Sequence, residues 1–224
     1  MATDLLASPG LFMLLLLLGG WVAVDGTAFG QFMISRPLVA ATLAGWIGGD
    51  PMAGVEVGVV LEAFHLSVLP VGAARYPESG PPAVVAGAIY AAEGATPGAL
   101  LTALVFALGW EWVAGATIRS MRSANVRILG VHSSPSTDSL QRRHLTAVAL
   151  DFVRGMLLVG VGLAVLIAIL EIAREGWPIG AETTRTFVGI LLVGLLATAA
   201  RIFGGRVRLF AAGAAAAALI VILR

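Results

Sequence analysis

The chain has 224 residues, 58% of them hydrophobic and only 12% charged, with a net charge of +1 and a mean hydropathy of +0.95. A soluble domain carries about twice that charge share, so the composition is that of an integral membrane protein whose principal partner is the lipid bilayer. It leaves no stretch for a separate soluble domain, and the near-zero net charge gives nucleic acid no footing. All 14 basic residues are Arg, which excludes lysine Schiff-base chemistry, and the lack of Cys excludes disulfides, thiolate metal sites and cysteine catalysis.

Residues 5–24 make an apolar run of about one bilayer crossing at 1.5 Å per residue, with Pro9 and Gly10 suited to a first helical turn. No basic segment precedes it and no small-residue cleavage site follows, so it reads as an uncleaved first span that ends at Asp25-Gly26. From Asp25 to Pro82 the character changes. Ionisable residues recur in an apolar background: Asp25, Arg36, Asp50, Glu56, Glu62, His65, Arg75 and Glu78. Charges at membrane depth cost roughly 2.5–3.5 kcal/mol each on insertion scales and mark pathways or sites. Glycine and proline cut the hydrophobic runs short. Pro37–Gly49 is a charge-free run opened by proline and closed by Gly48-Gly49-Asp50-Pro51. A run from Met52 carries Glu56 and Glu62, which lie about 600° apart around a helix and do not share a face. Residues 68–82 are punctuated by Gly and Pro, and a short apolar run follows at 83–92. Successive segments too short to span predict re-entrant or broken helices lining a cavity.

Thr96-Pro97 opens a longer helix reaching to about Arg119, with Glu111 between two tryptophans. Residues 119–154 are the most polar part of the chain and carry six Arg against Asp138 and Asp151. This stretch is expected to be a cytoplasmic loop by the positive-inside rule, with Ser136 or Thr137 capping the next helix. Residues 155–170 cross again. An external connection with Trp177-Pro178 leads to a span over 187–200. A second Arg cluster (Arg201, Arg206, Arg208) and an Ala-rich last crossing over 209–223 complete the chain.

The 20–90 region resembles the IIC subunit of the mannose-type (mannose–fructose–sorbose) sugar phosphotransferase systems. The resemblance rests on ordered elements: Asp25 after span one, Arg36-Pro37-Leu38, Ala41-Thr42-Leu43 with Gly45, and Gly49-Asp50 with Gly54. Gly58, Leu61-Glu62, Gly72-Ala73-Ala74 and Pro77-Glu78 follow. The chain departs from the pattern in being shorter beyond the polar loop, longer before Arg36, and in having Arg75 where small residues are common. The resemblance implies an all-α, polytopic membrane fold with hairpin segments, in which 1–224 forms one permease domain. Residues 1–92 would be its hairpin-rich core and 93–224 the helices with the 119–154 loop. It implies a hexose or amino sugar as solute, a IID membrane subunit in an oligomer of IIC–IID pairs, and cytoplasmic IIB and IIA phosphocarriers. The phosphorylated histidine would sit on IIB, so this chain carries no catalytic residue, cofactor or metal. A multi-pass place in the bacterial inner membrane follows.

Within that frame the candidate substrate-binding residues are Glu62, Asp25, His65, Arg36 and Arg75. A carboxylate such as Glu62 accepts two hydroxyl hydrogen bonds from a sugar, the alternative being a buried pair with Arg36 or Arg75. Asp25 is either a ligand or a helix-end residue. Arg36 either meets solute or positions the hairpin, and Asp50 suits a helix N-terminus. His65, three residues after Glu62, shares its helical face and can touch sugar; as a metal pair the two lack a third ligand. Glu56 faces a polar lumen or a partner. Residues 72–80 read as a lid or a tight turn, Glu111 as the partner of an Arg or of another subunit, and the 119–143 Arg cluster as a docking surface or plain topogenic charge. An uncoupled facilitator of the same fold and a non-transporting scaffold subunit remain as alternative functions.

Overall fold

The computed structural model describes residues 2–66, 76–129, 137–173 and 181–199, together with Gly213. Among these, all regular structure is helical: α1 (Ala2–Ala7), α2 (Pro9–Thr27), α3 (Pro37–Gly48), α4 (Pro51–His65), α5 (Gly80–Ala92), α6 (Pro97–Leu129), α7 (Thr137–Ala173) and α8 (Ala181–Ala199). Residues 72–75 of the 72–80 lid with Arg75, the Arg201–Arg208 cluster and nearly all of the last crossing lie outside the described residues.

Among the described residues, three helices, α2, α6 and α7, are long and apolar enough to cross a bilayer. α3, α4 and α5 have 12, 15 and 13 residues, well short of the roughly 20 a crossing needs. The broken segments expected from the Gly and Pro punctuation are therefore present as three short helices. Each starts with proline at its first or second position, where the missing N–H costs nothing. Asp50 caps α4, accepting from the N–H groups of Met52 (2.9 Å) and Ala53 (3.1 Å), the structural role its place before Pro51 suggested. Gly49 ends α3 in the left-handed region at φ +100°.

The core of the fold is α3 held between α4 and α5, the most extensive helix contacts among the described residues, followed by α2 against α7. Small residues allow it. Ala40, Ala41 and Ala44 of α3 are fully buried. A Cβ on either Gly54 of α4 or Gly87 of α5 would lie 2.4 Å from the Ala41 carbonyl oxygen, so the three backbones meet without side chains between them. Close packing of small residues is how helices associate where lipid is as apolar as leucine. Tyr90 on α5 donates to Glu56 on α4 (2.7 Å), which ties the exposed Glu56 to α5. Trp110 Nε1 donates to the Leu158 carbonyl (3.1 Å), tying α6 to α7.

The expected 119–154 loop is corrected. α6 continues as helix to Leu129 and α7 starts at Thr137, so only 130–136 remain between them. At 33 residues α6 is about 50 Å long, well beyond a hydrocarbon core of about 30 Å. Hydropathy reports where a helix leaves lipid, not where it ends. An established helix propagates through Arg and Ser at little cost. Span one also differs: Pro9 starts a new helix, so α1 is separate and α2 runs on past Asp25 to Thr27.

A polar cavity where short helices end

The loop from Ala28 to Arg36 leaves α2 and enters α3. Asp25, 3% exposed in the last turn of α2, organises it. Its Oδ1 accepts from Phe32 N (2.5 Å) and its Oδ2 from Ser35 N (2.9 Å). These bonds hold a turn in which Gly30, Gln31 and Met33 have positive φ. They also aim Ser35, Arg36 and Pro37 at a cavity of about 160 Å³. The other walls are Val22, Gly26 and Thr27 of α2, His65 at the end of α4, the 76–80 segment leading into α5, and Ile118 of α6. Two helix N-termini, those of α3 and α5, and one C-terminus, that of α4, thus converge on one polar space. Discontinuous helices use such an arrangement to meet a solute at membrane depth. A second cavity of about 370 Å³ shares Gly26, Thr27, Tyr76 and Ile118 and opens toward Arg122, Asn125 and His144.

Arg36 lines the first cavity, and its guanidinium is paired with Glu62 Oε1. Glu62 Oε2 lies 3.4 Å from the Leu38 N–H in the first turn of α3. The pair therefore joins α4 to the start of α3, with Arg36 half exposed and Glu62 largely covered. His65 is also at the cavity, but both ring nitrogens face protein: Nδ1 is 2.9 Å from the Leu61 carbonyl and Nε2 is 3.4 Å from Glu111 Oε2. Glu111 therefore faces a histidine, where an arginine or another subunit was expected. Four of the five sequence candidates, Asp25, Arg36, Glu62 and His65, gather within or directly behind this cavity wall.

The structure adds a cluster that sequence reasoning missed. Arg154 on α7 is buried, and its Nη1 and Nη2 bind Glu78 Oε2 (2.6 Å) and Oε1 (2.8 Å) side by side. Its Nε binds Asp151 Oδ1 (2.7 Å), and Nη1 also reaches Thr117 Oγ1 (2.9 Å) on α6. Thr27 of α2 completes the set by donating to Asp151 Oδ2 (2.5 Å). Arg154 and Asp151 are thus buried, not loop charges on the cytoplasmic surface. They anchor the 76–79 segment, and with it the cavity wall before α5, to the long helices. The one sequence signal was an Asp and an Arg three apart at the edge of an apolar run, with Glu78 as an otherwise unmatched acid.

An all-helical membrane protein in which, among the described residues, three helices long and apolar enough to cross a bilayer pack against broken ones that line a small polar cavity has the architecture of a membrane transport component. Residues 11–133, more than half of the chain, match the family described as PTS system sorbose-specific IIC component, and the chain belongs to that family. It is similar to the PTS system sorbose-specific EIIC component of Lacticaseibacillus casei, at 39% identity over 54 residues (24% of this chain, 20% of that one). The protein so described from Klebsiella pneumoniae is 41% identical over 58 residues (26% and 22%). The matched segments thus span about a fifth of each relative's length. A solved structure described as "Structure of membrane protein" superposes with a TM-score of 0.67 at 17% identity, covering 88% of this chain and 81% of that one; it shares the fold.

Proposed function

We propose that this chain is the sugar-translocating IIC subunit of a mannose-type phosphotransferase system and takes its solute at the cavity between Asp25, Arg36 and the 76–80 segment. The observation that carries the reading is the convergence of the α3 and α5 N-termini with the Arg36–Glu62 pair on one polar space, inside the region that matches the family. Backbone N–H groups and a guanidinium donate, and a carboxylate accepts. A sugar hydroxyl does both, so a neutral polyol suits the site better than an ion of either sign. The solute class is a hexose or amino sugar, and the names of the relatives make the ketohexose sorbose the first to try. Arg36 and Glu62 are the proposed solute contacts, with Asp25 shaping the loop that presents them. A IID membrane subunit, paired with this chain in an oligomer in the bacterial inner membrane, and the IIB and IIA phosphocarriers complete the system.

The test is uptake of labelled sorbose and other hexoses into vesicles holding this chain with its membrane partner, with and without phosphorylated IIB. Phosphosugar should accumulate only with IIB, and Glu62→Gln should lower uptake about tenfold or more, the equivalent of one charged hydrogen bond of roughly 1.5–3 kcal/mol. Free sugar accumulating with IIB present would leave a facilitator, and full uptake by Glu62→Gln would leave a scaffold.

A further inference from the structure

His65 and Glu111 pose a question of proton count. The Leu61 carbonyl oxygen, 2.9 Å from His65 Nδ1, can only accept, so Nδ1 carries the hydrogen. Nε2 then faces Glu111 Oε2 at 3.4 Å. If both groups lacked a further proton, a ring-nitrogen lone pair would be held against a buried carboxylate, since Glu111 is 2% exposed. Neither Nε2 nor Glu111 Oε1 has a hydrogen-bond partner among the described residues. Among the described residues, the other charged groups on the packed elements are engaged elsewhere. On the packed elements, Arg36 of α3 is bound to Glu62, Tyr90 of α5 to Glu56, and Glu78 and Asp151 to Arg154. On α8, Arg185, with Glu182 one turn before it, acts on Tyr90 of α5. Arg119, two turns along α6, reaches back to the Gly115 carbonyl.

We propose that His65 and Glu111 form a proton-binding site: one proton held between the α4 terminus and α6, with its occupancy linked to the closed form of the cavity. With the proton, the pair is neutral overall, as imidazolium–carboxylate or imidazole–carboxylic acid. Without it, the pair bears one uncompensated negative charge in a dry place. The geometry transmits this to the cavity. His65 forms part of its wall, and the Glu111 carbonyl accepts from Glu78 N (3.0 Å) in the wall opposite. Losing the proton drives the α4 end away from α6 and loosens the join between the two walls. Proton occupancy and closure are therefore linked, the protonated pair belonging to the closed form and the deprotonated pair to the open one. This holds whatever solute the cavity takes.

The test starts with the unaltered chain in nanodiscs, labelled with 15N-histidine. The chain has three histidines, and His65→Gln assigns the signal. The expected His65 ring is protonated at Nδ1 at every pH, with an Nε2 signal that changes with the pair's one proton. A ring protonated only at Nε2 overturns the proposal, whether or not any variant folds. The second arm uses the absence of cysteine. Ser79→Cys places a lone thiol in the cavity wall, and its maleimide labelling is followed against pH with and without Glu111→Gln. The amide introduced by that substitution donates to Nε2 permanently and removes the titration. Labelling should rise several-fold more steeply with pH when Glu111 is retained than when it is replaced. Equal slopes in the two backgrounds overturn the link to the cavity.

Discussion

Replacing Arg154 with methionine separates two accounts of how the long helices hold the cavity wall. Arg154→Met keeps most of the aliphatic length and removes the guanidinium. Four N–H contacts are lost: two to Glu78, one to Asp151 and one to Thr117. Each charged hydrogen bond is worth about 1.5–3 kcal/mol, but they share one cation and do not add. The governing quantity is the cost of leaving partners buried without their counter-charge, about 3–5 kcal/mol for a broken buried pair. Both acids are less than a tenth exposed, and among the described residues only Asp151 keeps another side-chain donor, Thr27. At about 2–4 °C per kcal/mol for a chain of this size, the purified protein should melt roughly 6–20 °C lower. Thermal unfolding in detergent, followed by tryptophan fluorescence, reads this directly. The triple variant Glu78→Gln, Asp151→Asn, Arg154→Met removes every charge in the set and should recover most of the loss, because neutral replacement of a buried ionic cluster is often nearly free. If the triple variant melts no higher than the single one, the loss comes from packing around the arginine stem and the electrostatic account is wrong.

Two further outcomes follow from local geometry. Gly87→Ala would put a methyl group 2.4 Å from the Ala41 carbonyl oxygen; α3 and α5 must separate, at a cost of about 1–3 kcal/mol, visible as a lower melting temperature. Asp50→Ala removes the cap of α4 and should cost about 1 kcal/mol, whereas Asp50→Asn, which still accepts, should keep most of it. The same melting assay ranks the two.

Much of the broken core was readable in advance because its signals are local. Pro37, Pro51 and Pro97 mark helix starts, Gly49 marks an end, and Asp50 before Pro51 marks a cap. Each follows from one residue's own backbone or side chain. The pairing of Arg36 with Glu62 stood among the alternatives because so few internal charges were available to balance one another. Arg154 was misread because the positive-inside rule counts arginines without asking what each one faces. Its partner Glu78 lies 76 positions away in sequence. His65 was likewise read along its own helix toward Glu62, while the group its ring meets is on α6.

The sequence by itself determined that this is an all-helical membrane protein, that residues 25–82 hold many of its ionisable groups, and where α3 begins and ends and α4 begins. Hydropathy, proline and glycine act over one or two turns, so no tertiary contact is needed to read them. Only the tertiary structure decided which charges meet. The α3–α4–α5 packing brings helix ends to one cavity, and α6 and α7 supply Glu111 and Arg154 from outside it. Burial makes every unmatched charge costly, and the fold is the arrangement that matches them.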